Sequence, residues 1–237
     1  MNWQRFVRKC QACLFILKGK VQPGFSQAGE DGVVHYLFQQ LQIKRPSYLD
    51  IGTNHPIIGN NTYLFYMGGS KGVCVEPDPE LCRLIRKYRP GSTLLQAGIG
   101  LDRQQQQAHL YIYPQPYTGW NTFSKEEAEK RELESGIKAK DVKLLPLLNI
   151  NDVMETHFHG APDFLSIDVE GLDLGILQTL EFERFAPKVI CVETISFSVN
   201  NTAKKLTGLI DFIVSKNYLI YADTNINTIF CRKDLLP

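Results

Sequence analysis

Short apolar runs, separated in several places by helical patterns, limit the folds open to this chain more than any other feature. They are Tyr48–Ile51, Gly72–Val75, Thr93–Ile99, Phe164–Ile167, Val189–Val192, Tyr218–Tyr221 and Thr228–Cys231. The first five are apolar on both faces and run into polar residues or glycine, as parallel strands buried on both sides do. "PDPELCRLIRKY" follows Val75, with Asp78 or Pro79 as its start; "GLDLGILQTLEFERF" follows the fourth run, and "TAKKLTGLIDFIVSK" precedes Tyr218. Strands alternating with helices make right-handed crossovers, so the expected fold is α/β with a doubly wound, mostly parallel seven-stranded sheet. The last two runs are joined by "DTNIN", too short for a crossover helix, and should close the sheet as an antiparallel hairpin.

The rest of the chain arranges itself around that frame. Residues 1–22 read as a basic amphipathic helix (Arg5, Arg8, Lys9, Lys18 and Lys20 against Trp3, Phe6, Leu14 and Phe15), and residues 23–237 as one domain. The basic helix either docks on the protein body or makes weak peripheral contact with a membrane surface or partner through residues 1–20. Its apolar run is too short and too interrupted for a signal peptide, and no stretch is long enough to span a bilayer. After Pro23-Gly24, Ser26 is placed to cap a helix carrying Val33, Val34, Leu37, Phe38 and Leu41. Residues 101–163 break the rhythm with a polar run, a strand, an aromatic loop, a highly charged helix, and a further strand leading to a capped helix.

A net charge of +1 removes any global field directed at nucleic acid. The six cysteines are scattered; Cys10 and Cys13 have no second pair, and Cys74, Cys191 and Cys231 sit in strand-like runs as small core residues. The expected compartment is reducing and cytoplasmic.

The chemistry gathers at strand ends. In open α/β sheets ligands lie beyond the carboxyl ends of the strands, near the switch in strand order. Asp50 ends the first run beside Gly52, which would let a ligand approach the backbone, and Glu76 ends the second, where an acid can accept both hydroxyls of a ribose. Asp50 capping a turn, or Glu76 paired with Lys71, is the bland alternative. The loop "DIGTNHP" lacks the G-x-G-x-x-G that cradles a pyrophosphate, and Pro56 has no amide to offer. A carboxylate in that place suits a ligand with a ribose, an amino group and a carboxylate but no phosphate. S-adenosylmethionine is such a ligand.

From residue 25 to 233 the chain resembles the FkbM-type S-adenosylmethionine-dependent methyltransferases, a class I, Rossmann-like family. The resemblance rests on "FSQAGEDG", "YLDIGTNHPIIGNNT", "VCVEPDP", "LLQAGIG", "FLSIDVEGLDLGILQTL", "VICVETI" and "YLIYADTNINTIFCRKDL", all in order. It implies that Asp50, Gly52 and Asn54 surround the methionine portion of the cofactor and that Glu76 is the ribose acid, with Pro77 beside it. Ser26, Gln27 and Glu30 would fold over the amino-acid end, or merely cap and open a helix. Gln96 and Ala97 stand where many methyltransferases carry an acid near the adenine. Residues 101–163 would cover the substrate.

Methyl transfer needs an aligned nucleophile and a group to take its proton. Asp168, Glu170 and Glu193 end the fourth and fifth runs and should face one crevice. One of them acts as base, or Asp168 and Glu193 hold a divalent metal such as Mg²⁺ or Mn²⁺, or the acids are structural. His55 is a further candidate base or a loop hydrogen-bonding group. His157 and His159 read as surface residues. Tyr117, Trp120 and Phe123 suit a stacking wall for a sugar or planar acceptor, or a hydrophobic flap. The resemblance implies O-methylation of a hydroxyl on a sugar, glycan or secondary metabolite. A nicotinamide oxidoreductase and a non-catalytic S-adenosylmethionine-binding protein are the rival readings.

Overall fold

The computed structural model describes residue 16, residues 23–198 and residues 202–236. The basic helix expected over residues 1–22, with its membrane contact, lies outside these apart from Ile16. In chain order the strands are β1 (Tyr48–Ile51), β2 (Gly72–Val75), β3 (Thr93–Leu95), β4 (Gly98–Ile99), β5 (Gln107–Ile112), β6 (Asp141–Leu148), β7 (Phe164–Ile167), β8 (Val189–Glu193), β9 (Tyr218–Asp223) and β10 (Asn227–Arg232). The helices are α1 (Glu30–Gln40), α2 (Tyr63–Met67), α3 (Pro79–Tyr88), α4 (Lys125–Ser135), α5 (Ile150–His157), α6 (Asp173–Thr179) and α7 (Thr207–Ser215).

The main sheet has seven strands in the order β3-β2-β1-β7-β8-β10-β9. β1 pairs in parallel with β2 and β7, as do β2 with β3 and β7 with β8. β10 enters antiparallel between β8 and β9, so the C-terminal hairpin is present as expected. The strand order reverses between β1 and β7, and that switch point is where a crevice opens. Side chains alternate between two cores. Leu49, Ile51, Leu165 and Ile167 pack on one face with Met154 of α5, Ile176 of α6 and Ile213 of α7. Tyr48, Cys74, Phe164 and Cys191 pack on the other with Val34, Leu37 and Phe38 of α1. Cys74, Cys82, Cys191 and Cys231 are buried free thiols.

Three elements differ from expectation. The run Thr93–Ile99 is two strands: β3 stays in the main sheet, while β4 joins β6 and β5 in a separate three-stranded sheet. The break falls at Gln96-Ala97, and Gly98 follows because the Phe123 ring occupies the place of a Cβ there. α6 is shorter than its apolar pattern. The chain leaves the helix where Asn151 of α5 clasps it, donating to the Thr179 carbonyl at 2.9 Å and accepting from the Glu181 amide at 2.8 Å. α1 begins after Gly29 rather than at Ser26, although the Ser26 hydroxyl still accepts from the Gly29 and Asp31 amides at 3.1 and 3.3 Å. α3 starts as expected, with Asp78 accepting from the Glu80 amide at 2.8 Å and Pro79 in the first turn. Among the described residues no helix is long and apolar enough to cross a membrane.

Candidate active site

The register of the parallel strands builds the site. Ile51 lies opposite Ile167, and Ile167 opposite Val192. One residue further on, Gly52, Asp168 and Glu193 therefore stand in a row along the sheet edge. Gly52 has φ +78°, and a Cβ there would overlap the Asp168 carbonyl. The neighbouring strand end alone demands a glycine here, and the residue also lines both cavities of the site.

Beyond Gly52 the chain turns through Asn54, held in the left-handed region at φ 50°. Its amide donates to Glu76 Oε2 at 2.8 Å, and the Asp78 amide donates to Oε1 at 2.9 Å. Burial pushes the Glu76 carboxyl up to about 7 against the pull of those two amides. Glu76 lines a narrow cavity with Gly52, Asn54, Pro77 and Ala97, walled by Ile51, Val75, Leu81 and Ile99. The Oδ1 of Asn54, a residue that borders both this cavity and the wider crevice, is buried with no hydrogen-bond partner among the described residues.

Asp50 sits beneath this loop. Its Oδ2 accepts from Thr62 Oγ1 at 2.7 Å and from Asn60 Nδ2 at 3.2 Å, and pairs with Arg89 at 3.4 Å. Arg89, 1% exposed, also donates to Asn60 Oδ1 and Thr62 Oγ1, and lies over the rings of Tyr48 and Tyr66. One Asp50 oxygen is thereby committed to fixing residues 50–62, although the residue also borders the wider crevice.

That crevice, of about 740 Å³, joins the narrow cavity at Gly52, Asn54, Asp168 and Glu170. Its size falls in the roughly 300–1,000 Å³ range of ligand pockets. Gln27, Asn61, Ser166, Tyr117, Trp120 and Phe197 line it along with Asp168, Glu170 and Glu193. One carboxylate oxygen from each of the three acids lies within 4.8 Å of the others. Asp168 opens onto the crevice but is surrounded by enough protein to be poorly hydrated. Burial first, then Asp173 and Asp50, raise its pKa. Burial raises Glu170 and Glu193 as well, each reinforced by Asp168. The acids expected to converge do converge.

Other expected residues are placed elsewhere. His55 lines neither cavity; its Nδ1 accepts from the Ile57 and Ile58 amides at 3.1 and 2.9 Å, and burial lowers its pKa. Its ring is a loop clasp. Ser26 donates to Asp31 Oδ1 at 2.7 Å. Glu30 accepts from Thr224 Oγ1 at 2.8 Å, Asn227 Nδ2 at 2.9 Å and the Ala28 amide at 2.8 Å, tying α1 to the C-terminal hairpin. Of that N-terminal trio Gln27 alone lines the crevice. Gln96 is exposed and accepts from Arg86 at 3.0 Å. Phe123 faces the narrow cavity beside Gly98, apart from Tyr117 and Trp120. His157 and His159 are exposed, as expected.

Two residues that matter to the site went unnoticed in the sequence: Arg89 and Arg131. Arg131 lies in a helix that reads as a solvated charged face, yet it is fully buried and pairs with Glu170 Oε2 at 2.6 Å. It also donates to the Trp120 carbonyl and lies over the Phe197 ring. Glu170 is therefore paired to a buried arginine. The residue between an acidic helix face and the core is betrayed only by its position, three residues after Ala128, the other buried residue of α4.

A family model of the methyltransferase FkbM domain matches residues 50–220. The chain belongs to the FkbM methyltransferase family. The match runs from the end of β1 into β9, so it takes in the whole candidate site after residue 50. This methyltransferase is S-adenosylmethionine-dependent. Among solved structures it is similar to a TehB-like SAM-dependent methyltransferase from Corynebacterium glutamicum, at 8% identity and TM-score 0.44, with 97% of each chain covered. It is also similar to an O-methyltransferase from Bacillus cereus in complex with SAH, at 12% identity and TM-score 0.42, covering 93% of this chain and 88% of that one. No curated protein matches the methyltransferase.

The residues present fit the cofactor. The narrow cavity offers apolar walls for an adenine, the Glu76 carboxylate for hydroxyl donors, and the orphaned Asn54 Oδ1 as a further acceptor. Asp168, where the two cavities meet, is a counter-charge for a sulfonium or an ammonium.

Proposed function

We propose that this methyltransferase O-methylates a hydroxyl of a sugar, glycan or related secondary metabolite. The observation that carries the reading is the wide, polar crevice opening directly onto the cofactor cavity, with paired acids at the junction and Tyr117 and Trp120 along one wall. Aromatic faces beside hydrogen-bonding groups suit a polyhydroxyl ring.

Glu76, Asn54, Pro77 and Ala97 would hold the adenosine end of S-adenosylmethionine, and Asp50, Gly52 and Gln27 border its amino-acid end. The cofactor supplies the methyl group when bound. Asp168 would take the proton of the acceptor hydroxyl, with the Glu193 carboxyl close enough to share it. Burial and neighbouring acids raise the proton affinity of Asp168 toward the neutral range, which matches that carboxylate to the task. Crevice walls orient the acceptor and exclude water, which supplies much of the acceleration.

A second reading gives Asp168 and Glu193 a divalent cation, Mg²⁺ or Mn²⁺, favoured by the closeness of the three carboxylate oxygens. These are hard oxygen donors of the kind such ions prefer, although Glu170 is already paired with Arg131. The deciding experiment is formation of S-adenosylhomocysteine against a panel of sugar and glycan acceptors. Acceptor-dependent product supports the reading. Cofactor binding without turnover on any acceptor would favour a binding role over this reading.

A further inference from the structure

Residues 113–135 form a cover that touches both cavities. Thr118, Asn121 and Phe123 line the narrow one, and Tyr117, Trp120 and Glu134 the wide one. With the cover in place the narrow cavity measures only about 60 Å³, well under an ordinary ligand pocket of roughly 300 Å³ or more. A nucleoside needs more room than that, and the cover supplies part of the wall, so what holds it down bears on the site.

Two of the fastenings meet at one residue. The Thr122 hydroxyl donates to the Glu170 carbonyl at 3.0 Å, and Arg131 pairs with the Glu170 carboxylate at 2.6 Å. Glu170 is itself twisted into the left-handed region at φ 56°, a conformation that costs a non-glycine residue of order 1–3 kcal/mol. Gly171 follows at φ +102°, where a Cβ would lie 2.7 Å from Glu127 of α4. This left-handed pair turns Glu170 toward the cover and lets α4 sit close above it. The other face of the Arg131 guanidinium lies 5.0 Å from the Phe197 ring centroid, and the Trp120 ring packs edge-on to Phe197 at 4.9 Å. One buried cation thus joins the cover, the turn after β7 and the wall after β8.

We propose that Arg131 is the positioning residue that clamps residues 113–135 over the site through Glu170, making Glu170 part of the clamp and leaving Asp168 and Glu193 to face the acceptor. This rests on the methyl-transfer reading for its consequence but not for its test. The ion pair is shielded, with 1% and 18% of its side chains exposed, so it holds while the site is dry and weakens when the cover lifts and water enters. The cover keeps independent ties, among them Asn121 Nδ2 to Asp78 Oδ2 at 3.2 Å, so loss of the clamp loosens it without unfolding the sheet.

The chain has two tryptophans, Trp3 and Trp120, so a Trp3→Phe background makes Trp120 the sole reporter of the cover. In the full-length protein without ligands, acrylamide quenching of Trp120 is compared for Arg131→Met, Arg131→Lys, Glu170→Asn and the double variant Arg131→Met/Glu170→Asn. Asn tolerates the left-handed backbone but is too short to reach Arg131. The expected result is a severalfold rise in quenching for Arg131→Met and for Glu170→Asn. Arg131→Lys should fall between them and the parent. The double variant should be no more exposed than Arg131→Met, because both changes remove the same interaction. In turnover, Arg131→Met should raise the acceptor KM more than it lowers kcat. Unchanged quenching in Arg131→Met, or additive effects in the double variant, overturns the proposal. Should Arg131→Met fail to fold by circular dichroism, a folded Glu170→Asn with Trp120 still protected overturns it equally. A positive quenching cycle in a protein that methylates nothing would sink the acceptor reading and leave the clamp standing.

Discussion

Asp168 and Glu193 are side-by-side neighbours at the ends of β7 and β8, because the parallel register sets Ile167 opposite Val192. Two acids so close cannot both ionise cheaply, and burial adds to the penalty. A shared proton or a cation relieves it, and the two make different predictions. If Asp168 is the base, Asp168→Asn loses about 10²–10⁴-fold in turnover and still binds S-adenosylmethionine. Because the folded pKa is raised, the ionised base appears only as pH climbs through that higher value. The pH–rate profile should therefore rise along an acidic limb that disappears in Asp168→Asn. Turnover abolished by exhaustive chelation and restored by Mg²⁺ or Mn²⁺ would assign the acids to a metal instead. Full activity in Asp168→Asn would make the acid structural.

Glu76 faces the cavity that suits the ribose. Glu76→Ala should weaken S-adenosylmethionine binding by about 1–3 kcal/mol, as expected for hydrogen bonds to a charged group. Since Glu76 also holds the Asn54 and Asp78 amides, Glu76→Gln is the companion variant, and it should lose less. Calorimetry on folded variants decides; undiminished affinity in Glu76→Ala removes the residue from the site.

The same carboxyl links stability to pH. Its folded pKa, about 7, stands above its ordinary value of 4.5, so the folded state holds the proton more tightly than the unfolded chain. That contribution is fully present at the acid end and is lost as pH rises between those two values. The ligand-free protein should accordingly lose thermal stability between pH 5 and pH 7, within the window those values set. Glu76→Gln, which cannot ionise, should flatten the decline. Parallel slopes in the parent and the variant would place the titration on other groups.

Strand ends were legible where periodicity and position agreed. Glu76, Asp168 and Glu193 each follow directly on a short apolar run, and in a parallel sheet all such ends point one way. The hairpin was legible because five residues cannot hold a crossover helix. Gly98 was not, since a run of apolar residues does not reveal that a ring from residue 123 will fill the space of its side chain. Arg89 and Arg131 escaped notice for a shared reason. A cation buried by partners far along the chain looks, in sequence, like any surface arginine, and its partners Asp50 and Glu170 lie 39 residues away in each case. Ser26, Glu30 and His55 left two readings open, ligand contact or a local clasp, because a polar group beside a motif suits either; nearby amides and the hairpin claim them.

The aromatic segment divides its labour. The Tyr117 and Trp120 rings pack tilted against each other, centroids 4.6 Å apart, on the wide crevice, whereas Phe123 fills the space beside Gly98 in the narrow cavity. Trp120→Ala should raise the acceptor KM with cofactor affinity nearly unchanged, and Phe123→Ala should chiefly weaken S-adenosylmethionine binding. Steady-state kinetics beside calorimetry separates the two. Equal losses of acceptor and cofactor binding in Trp120→Ala would make the segment a general support for the fold.

Arg89 supports the cofactor loop from beneath. Its guanidinium and the Asp50 carboxylate are 0% and 5% exposed, and the pair is completed by Asn60 and Thr62. Removing one partner of such a pair strands a buried charge, so Arg89→Met should cost about 3–5 kcal/mol in denaturant unfolding. Neutralising the stranded acid as well should recover part of that loss, and Arg89→Met/Asp50→Asn is expected to be more stable than Arg89→Met alone. Cofactor affinity should nevertheless stay low in the double variant, because Asn60 and Thr62 lose the guanidinium that fixes residues 50–62. A double variant that regains stability and full affinity together would show that the loop holds its shape without Arg89. One that is less stable than either single change would mean the pair is not the coupled unit its geometry describes.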